Sequence, residues 1–142
     1  MSAITLDQAR TIISAAFTKG AQDGMKPLSV LVLDAGGYPL AFERQDGASI
    51  GRFAIAMGKA NGALQLGVSS RTLGDMAADR PHFIGSLQPV LPQGAIPVAG
   101  GVLVAGGDGR VIGAVGVTGD TSDNDEICAL SGIEAAGLSA RN

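Results

Sequence analysis

One histidine, His82, stands in the run Arg80-Pro81-His82-Phe83. An imidazole changes charge near neutrality and ligates metals, so His82 is a candidate general acid/base and a candidate axial metal ligand. It cannot build a zinc site alone, because such a site takes several ligands from the chain. The plainer alternative is a loop histidine that only makes hydrogen bonds. The acids Asp120, Asp123, Asp125 and Glu126 crowd into seven positions. Carboxylates at a helix N-terminus each gain about 0.3–1 kcal/mol from the dipole, but four repel one another. They serve either as a cap or as a site. The Gly and terminal Glu spacing of a calcium loop is absent. Asp120 and Asp125 join His82 as candidate proton carriers.

The cations are few, and Arg44, Arg52, Lys59, Arg71 and Arg80 flank a Gly-rich helical stretch and a long loop. Arg52 and Lys59 are seven residues apart, which puts them on one helix face. Such a pair can receive a carboxylate or propionate, or can form a solvated face. The Gly-rich runs Gly100-Gly101 and Gly106-Gly107-Asp108-Gly109 lead into strands, and no GxGxxG or GxxxxGK[ST] occurs. A phosphate loop needs a helix N-terminus directly after it, so nucleotide binding by these loops is excluded.

The elements that position these groups follow from local pattern. Thr5-Leu6-Asp7-Gln8 forms a capping box, with Ile4 and Ala9 as staple. Leu6, Ala9, Ile12, Ile13, Ala16 and Phe17 make an apolar stripe that Gly20, Gly24 and Pro27 end. Leu28–Leu33 and Tyr38–Arg44 read as a hairpin turned by Asp34-Ala35-Gly36-Gly37. A helix from about Ile50 to Gly67 holds Gly51, Gly58 and Gly62, each costing about 1 kcal/mol relative to Ala. A backbone or ligand lying very close must repay that cost, and the expectation is that another molecule or subunit nestles there. Ser70–Asp79 predicts a shorter helix, and the proline-broken 81–97 segment a long ordered loop with one helical turn, of the kind that forms binding loops or lids. Gly101–Ala105 and Arg110–Thr118 form a second hairpin. Asp123-Asn124-Asp125-Glu126 opens a last helix carrying Ile127, Leu130, Ile133 and Leu138. Antiparallel hairpins covered by separate helices give an α+β sandwich.

The 142 residues suit one domain, 1–142, and 46% hydrophobic residues with a mean hydropathy of +0.30 supply its core. That composition excludes disorder. Ten Lys+Arg against thirteen Asp+Glu, with a pI near 4.9, leave no basic excess for nucleic acid. No apolar run reaches membrane-spanning length. The first residues lack the pattern of a signal peptide, so a cytoplasmic address is expected. Cys128 is alone, which excludes an internal disulfide.

Val32-Leu33-Asp34-Ala35-Gly36-Gly37 through Arg44-Gln45-Asp46-Gly47-Ala48, Lys59-Ala60-Asn61-Gly62-Ala63, and Val111-Ile112-Gly113-Ala114-Val115-Gly116-Val117-Thr118-Gly119 with Asp125-Glu126 together resemble the GlcG/HbpS-like family. That family is related to the C-terminal domain of PduO-type corrinoid adenosyltransferases. The chain departs from the family pattern at Gly62, where the helix motif often has Thr, and at Leu103, where Pro is common after the Gly-Gly pair. The resemblance implies an α-β-α sandwich around an antiparallel sheet, profilin-like, in a homo-oligomer that binds haem. On that reading His82 is the axial ligand, with Tyr38, Met57 and Met76 as weaker choices. Arg52, Lys59, Arg71 or Arg80 would meet the propionates, with Glu126 among the ligand contacts. The alternative is a cofactor-independent isomerase, hydratase or lyase acting on a small organic acid. There Arg44, Arg71 or Arg80 would clamp the anion, and His82, Asp120 or Asp125 would move the proton. An oligomerising scaffold without a ligand is the third reading.

Overall fold

The structure, a computed structural model, describes residues 3–142. Helix α1 (Leu6–Gln22) begins on the expected capping box: Thr5 Oγ1 accepts from the Gln8 N–H, and Gln8 Oε1 accepts from the Thr5 N–H, both at 3.0 Å. Strands β1 (Ser29–Asp34) and β2 (Pro39–Arg44) form the first hairpin. Helices α2 (Arg52–Leu66), α3 (Ser70–Asp79) and α4 (Pro81–Leu87) follow. Strands β3 (Gly101–Ala105) and β4 (Val111–Thr118) form the second hairpin. Helix α5 (Ser122–Ala135) and a short strand β5 (Ser139–Arg141) close the chain.

The five strands make one antiparallel sheet in the order β2-β1-β4-β3-β5. Because side chains alternate along a strand, β1 serves two cores. Val30 and Val32 pack with Ile12, Ile13, Ala129 and Ile133 under α1 and α5. Leu31 and Leu33 pack with Ala56, Ala60 and Ala63 under α2. The helices thus lie on both faces of the sheet, and the α+β class read from the hairpins is the observed one. Gly116 lets α2 approach closely, since a Cβ there would run into the Ala56 carbonyl and the Ala60 methyl.

Four local expectations need correction. Residues 81–87 form a helix of seven residues rather than one turn in a loop. Pro81 sits at its first position, where a missing N–H and a fixed φ favour helix. Strand β5, unmarked by any apolar alternation, exists because Leu103, Val104 and Ala105 offer it an open edge. Leu138 lies beyond α5, and the N-cap is Thr121, whose hydroxyl accepts from the Asn124 N–H at 3.2 Å. Leu6 is 47% exposed, off the buried stripe.

Candidate functional site

The acidic group at the start of α5 does not stand open. Asp125 is 1% exposed and accepts the Lys59 ammonium at Oδ2 (3.0 Å) and the Asp120 N–H at Oδ1 (3.0 Å). Lys59, 2% exposed, also donates to the Val117 carbonyl at 3.0 Å. Burial lowers the Lys59 pKa, against which Asp125 pulls it up. The middle of α2, the end of β4 and the start of α5 are therefore pinned by one desolvated ion pair. Glycine makes room for it: a Cβ on Gly100 would press on the Lys59 side chain, and one on Gly101 on the Lys59 carbonyl.

The neighbouring acids are likewise engaged. Arg71 of α3 donates through Nε to both Glu126 oxygens (3.1 and 3.0 Å) and through Nη2 to Asp123, and these bonds raise its pKa. Asp120 accepts the Lys26 N–H at 3.0 Å and the Asn124 amide at 2.7 Å. Those bonds hold its carboxyl down at about 2. No group of three His, Cys, Asp or Glu side chains is arranged for a metal among the described residues.

Arg52 and Lys59 do share a helix face, as their spacing requires, and both reach the end of β4. Arg52 donates to Thr118 Oγ1 at 2.8 Å and to Ser49 Oγ at 3.0 Å. Arg44, exposed at the end of β2, has no hydrogen-bonded or ionic partner among the described residues.

The α3–α4 corner is the opposite case. Arg80 is both C-cap of α3 and N-cap of α4, and its guanidinium lies 4.8 Å from the centre of the Phe83 ring. Phe83 is 38% exposed, while Ile84 turns inward onto Leu73 and Ala95. His82 stands exposed between them, with no hydrogen bond or ion pair to Asp120, Asp125 or any other described residue. Imidazole, ring and cation thus fall within four residues.

Over Gly58 and Gly62 the face of α2 is not left for another molecule, and there the expectation is overturned, while over Gly51 nothing lies within 4 Å. Ile96 fills the space over Gly58, and Ala95 with Leu73 that over Gly62. Asn61 Nδ2 holds this strap by donating to the Pro92 and Gly94 carbonyls, and the Ile96 N–H bonds to the Gly58 carbonyl. A backbone repays the helix propensity lost. Sequence reasoning missed Asn61, as well as Ser29, Ser49 and Thr118 around Arg52. Ser29, a hydroxyl heading an apolar strand, was the one legible signal among them.

The match to known proteins agrees with this architecture. The chain belongs to the family described as haem degrading protein HbpS-like, whose profile matches residues 4–134. An uncharacterised 15.0 kDa protein from the dhaT–dhaS intergenic region of Citrobacter freundii is 31% identical over 134 residues, spanning 94% of this chain and 92% of that one. Among solved structures, HbpS is 29% identical with a TM-score of 0.81, covering 94% of this chain and 90% of its own. The ORFY protein of Klebsiella pneumoniae is 28% identical with a TM-score of 0.86, covering 96% and 92%. PduOC, solved as a haem complex, shares the fold at a TM-score of 0.87 and 21% identity, covering 99% and 100%. No helix among the described residues is long and apolar enough to cross a membrane.

Proposed function

We propose that this protein binds haem on the α3–α4 corner, with His82 as the axial ligand, and works as a homo-oligomer. The observation that carries the reading is the uncommitted imidazole of His82, flanked by the Phe83 ring and the Arg80 guanidinium. These residues fit the group: an imidazole ligates iron, a half-exposed ring covers a flat macrocycle edge, and a guanidinium pairs with a propionate. When bound, haem would supply a redox-active iron that no side chain of this chain provides. The chain's own part would be to cover the macrocycle with Phe83, neutralise one carboxylate with Arg80 and offer the His82 imidazole to the iron. Membership of a family described as haem degrading, and the haem complex of PduOC, support the choice of ligand.

Pro81, His82 and Phe83 are all exposed, so a second copy would be needed to shut haem away from water. Apolar surface for such a contact is at hand: Val90 is 72% exposed near α4, and Tyr38 and Ile50 are 73% and 89% exposed beside the edge strand β2. Haemin titration into the purified protein tests the reading. A saturable, shifted Soret band that is lost in His82→Ala supports it, as does light scattering at more than the protomer mass. No Soret shift, or an identical shift in His82→Ala, overturns the ligand assignment.

A further inference from the structure

We propose a further binding site, for a carboxylate, at the start of α2, built on the Arg52 guanidinium. A cavity of about 190 Å³ opens there, lined by Lys26, Pro27, Gly47, Ala48, Ser49, Arg52 and Gly119. Its chemistry is that of an anion receptor.

Arg52 is a half-buried cation that meets no carboxylate, although acids outnumber bases in this chain. Its described partners are two hydroxyl oxygens, Ser49 Oγ and Thr118 Oγ1. Accepting from the guanidinium leaves each hydroxyl proton available to a ligand oxygen. The helix that begins there adds to the field: Gly51 provides no side-chain cap, and no acid stands in the first turn of α2. Lys26 brings a second positive charge to the rim. Asp120, next to Gly119, is taken up in bonds with the Lys26 N–H and Asn124.

An orphaned hydroxyl is the independent sign. Ser29 is fully buried, and its Oγ has no hydrogen-bond partner. A buried polar atom left unpaired is costly and rare in a native structure. Ser29 pairs with Thr118 across β1 and β4. It also shares the α2-facing side of the sheet with Leu31 and Leu33. The unpaired hydroxyl therefore stands beside the Thr118 hydroxyl that Arg52 grips. A planar carboxylate suits this lining, with one oxygen on the guanidinium fork and the other on the Ser49 hydroxyl, and its carbon against Pro27 and Ala48, while Thr118 and Ser29, outside the lining, adjoin it through Arg52. The carboxylate comes either from a free short-chain acid or from a propionate of the tetrapyrrole.

Titrating 15N-labelled protein with acetate, with inorganic phosphate and with haemin tests the site and separates the two sources. Acetate is expected to cause saturable amide shifts centred on Ser49, Arg52 and Gly119. Arg52→Gln should weaken it at least tenfold, and Arg52→Lys less. Ser29→Ala is the check that survives a folding defect in the arginine variants: it should weaken acetate severalfold without lowering stability. His82→Ala should leave the acetate response intact, so that the haem reading and this one fail separately. Should acetate not saturate while Arg52→Gln weakens haemin, the site stands with a propionate as its source. Equal affinity in Arg52→Gln, unchanged affinity in Ser29→Ala, a preference for phosphate, or no response to either acetate or haemin at Arg52 overturns the proposal.

Discussion

Two ends of the α2–α3–α4 run treat polar groups in opposite ways. Where α2 and α3 meet α5, Lys59, Asp125, Arg71 and Glu126 are paired within the chain, and Lys59 and Asp125 have lost contact with water. At the start of α4 the exposed His82 side chain has no hydrogen bond or ion pair among the described residues, and the Arg80 guanidinium lies against the Phe83 ring. The first region spends its charges on holding layers together; the second keeps an imidazole and a cation available. The richest cluster of ionisable residues is thus engaged within the chain, and the sparse one leaves its imidazole without a bonded partner among the described residues.

Substitutions can break this contrast, and the largest effect is expected at the buried pair. Lys59→Met leaves Asp125 charged and unpaired, so urea denaturation should show a loss of about 3–5 kcal/mol. Removing both charges in Lys59→Met/Asp125→Leu should recover much of it. Next comes Gly116→Ala, whose methyl meets the α2 backbone at Ala56. Overpacking of this kind costs about 1–3 kcal/mol, read as a lower denaturation midpoint. On α4 the sign reverses: a Cβ on Gly85 meets nothing within 4 Å. Gly85→Ala should therefore gain about 0.4–1 kcal/mol in the same assay. His82→Ala should change stability by less than about 0.5 kcal/mol, because an exposed side chain without partners is removed.

The smallest effect concerns pH. The Asp120 carboxyl is held at about 2, below its unfolded value of 3.8. Its contribution is thus present above pH 3.8 and lost as pH falls from there towards 2. Urea midpoints at pH 5 and pH 3 should differ less in Asp120→Asn than in the unmodified protein. An equal difference would show that the bonds from Lys26 and Asn124 do not favour the charged form.

Legibility in the sequence follows the range of the interaction. The Thr5–Gln8 box and the hairpin turns each span four residues, so α1 and both hairpins could be read from their own residues. Pro81 misleads because it interrupts a helix in mid-run yet favours one at its first position. Strand β5 depends on Leu103–Ala105, far back in the chain, and nothing in Ser139–Arg141 announces it. The spacing of Arg52 and Lys59 put both on one face, but that Lys59 would meet Asp125 needed the fold, since 66 residues separate them. The glycines of α2 announced a close neighbour; that it is the 95–96 strap depends on Asn61 gripping Gly94, again a distant contact.

Arg80 closes one helix and starts the next, so no linker intervenes between α3 and α4. The Ser70 hydroxyl bonds both the N–H and the carbonyl of Gly101, tying α3 to the start of β3. The backbone that carries the imidazole is thereby held in place, so an incoming ligand would have only the side-chain torsions of His82 left to order.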